Sequence, residues 1–418
     1  MKKTLFLLNS LILFVAAGTW MHGAQDDWAQ WRGRNQDGLS TETGLLTEWP
    51  PAGPPLLWKA IGLGNGYSTL AIAGNKIFTL GDKGDRNFVI ALSRVDGKPV
   101  WETDLGKAGA PGWGGFAGPR CMPTIDEGLL LAVGQYGEVA CLGTADGKVK
   151  WRKDYIKDFG AQLPEWGFAS MPLVDGDKVI LVPGGSEGDL VALNKATGAL
   201  VWRSKELTDS IHYSSPIAAE IGGVRQLIQL TETSVAGIAL EDGRLLWRAP
   251  RKGAVAVIPT PIYSDNYVYV TSEYGVGCNL FKISVSDGKF SAEQVYANKV
   301  MANHHGGVIK VGANVYGYSA GKGWTCQDFK TGAAVWQEKG KLGKGSIAYA
   351  DGHFCLRAEE GKGTVALIEA TPEGYKEKGR FDQPDRHKEN SWPHPIIAGG
   401  KLYIRDQDTL LCYDVKGK

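Results

Sequence analysis

Few of the features that usually locate a function are present in this sequence of 418 residues. No stretch has the setting of a nucleophile elbow, a P-loop, a dinucleotide-binding glycine fingerprint or a zinc-protease helix, which removes four common sources of hydrolase, NTPase and dehydrogenase chemistry. The short glycine run Pro183-Gly184-Gly185 lies between strand-like runs and makes a turn. Charge bias is missing too: 46 Lys and Arg offset 45 Asp and Glu, leaving a net charge of +1, and the basic residues are scattered over turns. A nucleic-acid partner needs a clustered basic face, so none is expected. The turns Asp82-Lys83-Gly84-Asp85 and Asp175-Gly176-Asp177 lack the further oxygen ligands and terminal Glu of a calcium loop, and they read as hairpin turns.

Long apolar runs are also scarce. Leu5 to Ala17, preceded by Lys2-Lys3, has the length of a signal-peptide core and is short for a membrane span. Residues 1–24 are therefore expected to direct export, placing a monomeric mature chain in the periplasm or outside the cell, with an uncleaved anchor as the alternative. No Cys lies close enough to this segment to carry a lipid.

What the sequence does have is a repeat. Asp-Gly or Thr-Gly is followed four residues later by Trp at Asp96-Gly97 and Trp101, Asp146-Gly147 and Trp151, Thr197-Gly198 and Trp202, Asp242-Gly243 and Trp247, and Thr331-Gly332 and Trp336. Two further copies replace the Trp, with Asp287-Gly288 running into Phe290 and Glu373-Gly374 into Tyr375, and a last turn begins at Asp414. Each copy is a β-hairpin: alternating apolar residues, a turn whose Gly accepts positive φ, and a return strand carrying a large aromatic. The last turn lacks a return strand, and Leu56-Leu57-Trp58-Lys59 reads as a return strand lacking a turn. Joining the two closes a ring and removes the exposed sheet edge. A period of about 40 to 50 residues with four strands per unit predicts an all-β, eight-bladed β-propeller over 55–418, seven blades being the alternative. Residues 25–54, with Trp28 and Trp31, form an extension expected to pack across the rim or base. Cys141 and Cys326 take the place of Ala91 and Ala192 in sister repeats, Cys412 sits on the matching strand of the last one, and all three read as small buried strand residues. Cys121, Cys278 and Cys355 have no such equivalence, and a bridge among them stays open.

Each repeat enters its first strand through a small residue and often Pro, as in Met171-Pro172, Thr260-Pro261 and His394-Pro395. First strands of a propeller line the channel, so these entries converge on one mouth. Three positions before the Pro-equivalent stand Tyr67, Arg120, Ala169, Tyr213, Ile258, His305, Lys344 and Trp392. The preceding position adds Phe168, His212 and His304, and the residue ahead of the Pro adds Thr69, Ser215, Thr260, Ser346 and His394. This grouping predicts a site for a small polar or anionic ligand, a protein partner being the alternative. Arg120 and Lys344 would anchor negative groups unless inter-blade acids take them up. His212, His304, His305 and His394 would hydrogen-bond or move protons, and Tyr213, Trp166 and Trp392 would stack, with Tyr67 beside them. Neighbouring residues on a strand face opposite ways, so one of His304-His305 is expected to face the channel and the other an adjoining blade.

The run Val191 to Trp202 and its relatives at Trp101, Trp151, Trp247 and Trp336 resemble the PQQ repeat of quinoprotein-like eight-bladed propellers. Trp28-Ala29-Gln30-Trp31-Arg32-Gly33, Tyr213-Ser214-Ser215-Pro216, Asn303-His304-His305-Gly306-Gly307 and Trp392-Pro393-His394-Pro395 are similar to a group of exported bacterial PQQ-binding-like propellers. For the dehydrogenase arm, the resemblance implies PQQ between a Trp and a disulfide of adjacent cysteines, Ca²⁺ held by Glu, Asn and Asp, and an Asp base oxidising an alcohol or sugar. For the assembly-factor arm of the bacterial outer membrane it implies a scaffold that binds proteins and catalyses nothing. This chain has neither an adjacent Cys pair nor a Cys-x-x-Cys-His for haem.

Overall fold

The computed structural model describes residues 27–112 and 115–417. The expected signal segment lies outside them. No helix among the described residues is long and apolar enough to cross a membrane.

Eight four-stranded antiparallel sheets follow one another along the chain, and the eight-blade reading holds over the seven-blade one. Blades 1 to 7 cover 71–107, 124–154, 173–203, 217–250, 262–298, 308–338 and 345–381. The eighth takes three strands from the end of the chain, Ile396–Ala398, Lys401–Asp406 and Thr409–Asp414, and its outer strand Leu56–Ile61 from the start. In that closing pair Trp58 stands opposite Cys412.

The recurring Trp, the small residue opposite it and the turn Gly form one packing device. Trp101 faces Ala91, Trp151 faces Cys141, Trp202 faces Ala192 and Trp336 faces Cys326, so a small side chain leaves room for the indole across the strand pair. The ring then lies on the turn of the next blade. A Cβ on Gly147 would sit 2.5 Å from Trp101, and one on Gly198 2.8 Å from Trp151. The indole N–H of Trp101, Trp151 and Trp202 donates to the carbonyls of Thr144, Lys195 and Leu240, each two residues before its turn Asp or Thr. Cys141, Cys326 and Cys412 are thus buried spacers, and all six cysteines are buried and free, Cys121, Cys278 and Cys355 included.

Three positions depart from the sequence expectation. In blade 7 the return strand is Glu377–Phe381, so Tyr375 lies ahead of it, and Gly379, opposite Leu367 and covered by Trp49, stands in the Trp register. In blade 5 the hairpin Gly277–Ser286 and Lys289–Asn298 is ten residues on each side, so Phe290 falls at its far end. Tyr296 takes the aromatic place instead: its ring underlies Gly332 and its hydroxyl donates to Phe329 O at 2.9 Å. Trp247 bonds within its own blade, to Gln226 Oε1 at 2.6 Å, and the residue opposite it is Gly237.

The extension closes the base of the channel. Trp28 exchanges backbone bonds with Ile72, Ala29 O accepts from Ile125 N, and Gln36 Oε1 accepts from Ala218 N. Arg32 donates to Val308 O, Ser40 N to Tyr349 O and Leu46 N to Val415 O. Blades 1, 2, 4, 6, 7 and 8 are tied together by this one crossing. Trp31 points up into the channel and donates to Thr260 Oγ1 of the blade 5 entry at 2.8 Å. The channel is a cup with an indole at its floor.

Candidate functional site

The cup has a volume of about 310 Å³, within the range of small-molecule sites. Nine of the ten sequence candidates line it: Tyr67, Arg120, Trp166, Tyr213, His304, His305, Lys344, Trp392 and His394. His212 does not. Its Nδ1 accepts from Val257 N, and its Nε2 lies 3.6 Å from Glu232.

One side of the cup is an arc of rings. Tyr67 and Phe116 lie 4.4 and 4.9 Å from Trp392 between centroids, Trp392 lies 5.3 Å from His305, His305 4.8 Å from His304, and His304 5.4 Å from Tyr274. The expectation that His304 and His305 face opposite ways fails, because residues 301–307 precede the strand and the chain bends at 305–306. Both imidazoles reach the cup, and their Nδ1 atoms are 2.9 Å apart.

That contact fixes proton positions. Lys344 Nζ donates to His304 Nδ1 at 2.9 Å, so His305 is the Nδ1–H donor of the pair and His304 an acceptor there. His304 then carries its proton on Nε2, directed at Tyr274 Oη at 3.2 Å. Burial first, then His305 and Lys344, push the His304 pKa down to about 2, keeping the ring neutral. His305 Nε2 lies 2.7 Å from Glu359. Burial alone would raise the Glu359 carboxyl, and contact with His305 and Lys344 outweighs it, holding the group below its ordinary value. Lys344 also pairs with Glu273 at 3.2 Å, so the expected inter-blade pairing takes up its charge.

Arg120 is placed differently. Its guanidinium donates to Gly118 O and Phe116 O at 2.8 and 2.7 Å and lies 5.3 Å from the Tyr67 centroid and 5.9 Å from that of Trp392. Burial lowers its pKa from the ordinary value, and among the described residues it forms no ion pair with a carboxylate.

His394 is enclosed beside Trp31, 4.9 Å between centroids, and its Nε2 donates to His305 O at 3.0 Å. Burial, partly opposed by that bond, lowers its pKa from 6.5 to about 4. The unfolded chain therefore takes up this proton first as pH falls, so the stability due to neutral His394 is complete above about pH 6.5 and declines towards pH 4. His394→Gln is expected to flatten the acid limb of stability over that window, read as the urea midpoint against pH.

Sequence reasoning missed Trp31, Phe116, Tyr274 and Glu359. Trp31 arrives from outside the repeat, Phe116 and Tyr274 sit on loops without a repeat position, and Glu359 lies at the end of an inner hairpin.

The cofactor site implied by the dehydrogenase resemblance does not fit these residues. Glu359, the carboxylate on the cup wall, is held by His305 and Lys344, and no group of three His, Cys, Asp or Glu among the described residues could hold a metal. Cys121, beneath the Arg120 entry, is a single thiol whose burial pushes its pKa up to about 12. The donor set offers neither a Ca²⁺ cage nor a disulfide.

Among known proteins, the chain is 27% identical over 211 residues to the outer membrane protein assembly factor BamB of Alkalilimnicola ehrlichii, covering 50% of each. It is 27% identical over 187 residues to the quinoprotein alcohol dehydrogenase PedH of Pseudomonas putida, covering 41% of this chain and 29% of that one. The chain thus spans half or less of the length of these two relatives. The solved quinohemoprotein alcohol dehydrogenase of Comamonas testosteroni superposes with a TM-score of 0.65 at 10% identity, over 94% of this chain and 81% of that one, which shows a shared fold. Residues 85–338, more than half of the chain, match the PQQ-like repeat family described as outer membrane protein assembly factor BamB, and the chain belongs to that family.

Proposed function

We propose that this propeller is an exported binding protein that takes a small acidic ligand into its central cup. The observation that carries the reading is Arg120: a guanidinium held against aromatic faces, bonded to two carbonyls that need little of its charge, and free of any carboxylate partner among the described residues. Arg offers five N–H donors in a fixed fork, and two of them are used here. The remaining donors suit a carboxylate, whose bidentate contact is stronger than a neutral hydrogen bond. Lys344 and His305 already have Glu359, and Lys344 has Glu273 as well, so they shape the polar arc and Arg120 supplies the attraction.

Calorimetric titration tests this with benzoate, benzamide as its neutral counterpart, and PQQ with and without Ca²⁺. Benzoate is expected to bind at one site per chain and to weaken with salt, benzamide to bind more weakly, and Ca²⁺ to add nothing to PQQ binding. Equal binding of benzamide and benzoate, or no binding of either, contradicts the reading and turns attention to protein partners. A gain from Ca²⁺ contradicts the assignment of the cup's carboxylates.

A further inference from the structure

The cup is polarised, and its rim carries an apolar collar that a purely polar ligand would not use. On the side of blades 3 to 5, Ala169, Tyr213 and Ala256 form a hydrophobic cluster with Trp166 and Ile258 packed on it. All five face the cup. Opposite lies the arc from Arg120 through Trp392 to His304. A ligand spanning the cup meets donors at one end and hydrocarbon at the other.

Phe116 and Tyr274 line the cup and Val255 adjoins the lining residue Ala256; Phe116, Val255 and Tyr274 are exposed by 40%, 54% and 45%. Each is held in left-handed backbone, with φ of 60°, 52° and 59°. Bulky residues avoid this region, and a β-branched residue such as Val255 is the least suited to it. They come from three separate loops, Phe116 and Val255 between blades and Tyr274 at the turn between Tyr267–Ser272 and Gly277–Ser286. Gly or Asn would remove the strain. Val255 adds exposed hydrocarbon next to Ala256 of the apolar wall, and Phe116 and Tyr274 add exposed rings beside Trp392 and His304 on the arc.

We infer that the ligand is an amphipathic carboxylate whose head meets Arg120 and whose hydrocarbon chain runs along the Ala169, Ala256 and Ile258 wall and leaves through the collar. The inference rests on the acidic-ligand reading above and narrows it to a chemical class, excluding sugars and compact dicarboxylates. Burial of one methylene is worth about 0.8 kcal/mol, which corresponds to roughly a fourfold change in Kd.

The test is a calorimetric series of butyrate, hexanoate, octanoate and decanoate below their aggregation concentrations, with succinate as the hydrophilic comparison. The wild type, Arg120→Ala and Val255→Gly are compared, the last relieving backbone strain and so expected to fold. Affinity is expected to rise about three- to fourfold per methylene until the chain clears the rim, with the last methylenes gaining less in Val255→Gly. Succinate is expected to bind no better than butyrate. Affinity independent of length, or succinate binding as tightly as decanoate, overturns this inference and leaves the acidic cup standing. No binding by any carboxylate overturns both. Decanoate binding that is unchanged in Arg120→Ala is adsorption to apolar surface and also overturns it. A length dependence identical in Val255→Gly removes the collar from the account.

Discussion

Arg405→Ala is expected to lose about 3–5 kcal/mol of stability, the largest effect of any single substitution considered for this chain. Arg405 is 1% exposed and belongs to the second strand of the last blade. Its guanidinium donates to Gln407 O in its own blade. Across the closure of the ring it donates to Ser68 O, Thr79 Oγ1, Leu80 O and Gly64 O, in and just ahead of blade 1. Burial pulls its pKa down to about 9, so it remains charged at neutral pH. Truncation leaves several buried carbonyls without donors where the first and last blades meet. Arg405→Lys keeps the charge but not the planar fork and should fall between the two. For contrast, Arg86→Ala removes an exposed, solvent-screened pair with Asp104 and should leave the urea midpoint nearly unchanged. Urea unfolding of the four proteins measures the order, and equal midpoints for Arg405→Ala and Arg86→Ala would show that the closure does not depend on this side chain.

Arg120→Ala is expected to weaken carboxylate binding by roughly 10- to 100-fold, the range of a lost charged hydrogen bond. The loss should appear in affinity and in its salt dependence together, because a partly buried ion pair is formed at the mouth. Arg120→Lys should restore part of the affinity, as a point charge without bidentate geometry. Lys344→Ala should have a smaller effect on affinity, because its charge is already shared between Glu273 and Glu359. Competition titration of the three variants reads this directly. A larger loss in Lys344→Ala than in Arg120→Ala would reverse the assignment.

The architecture was legible because its signals are local. A turn Gly beneath an indole, a small residue across the strand and a carbonyl two positions before the turn recur at fixed spacing, so Cys141, Cys326 and Cys412 could be read as spacers before their partners were known. Closure by Leu56–Ile61 was legible for the same reason, as the unmatched half of a hairpin. Tyr296 was not, because ten-residue strands shift the aromatic away from the turn and break the spacing. The cup was legible only where the repeat frame reaches. Entry positions share a register, so Tyr67, Arg120, Tyr213, Lys344, Trp392 and His394 could be grouped from sequence. His304 and His305 were grouped correctly but oriented wrongly, since alternation applies to extended strands and the chain bends there. His212 shares the entry frame but turns back onto Val257 N. Trp31 lies outside the frame altogether: its place follows from a crossing segment that bonds to six other blades on either side of it while its indole reaches Thr260.

The most direct measurement is a crystal structure of the protein soaked with octanoate. The account predicts a carboxylate on the Arg120 guanidinium with the chain against Ala169, Ala256 and Ile258 above Trp31. Octanoate bound only outside the cup, or lying within it with its carboxylate away from Arg120, would contradict the claim that this cup is an acid-binding site.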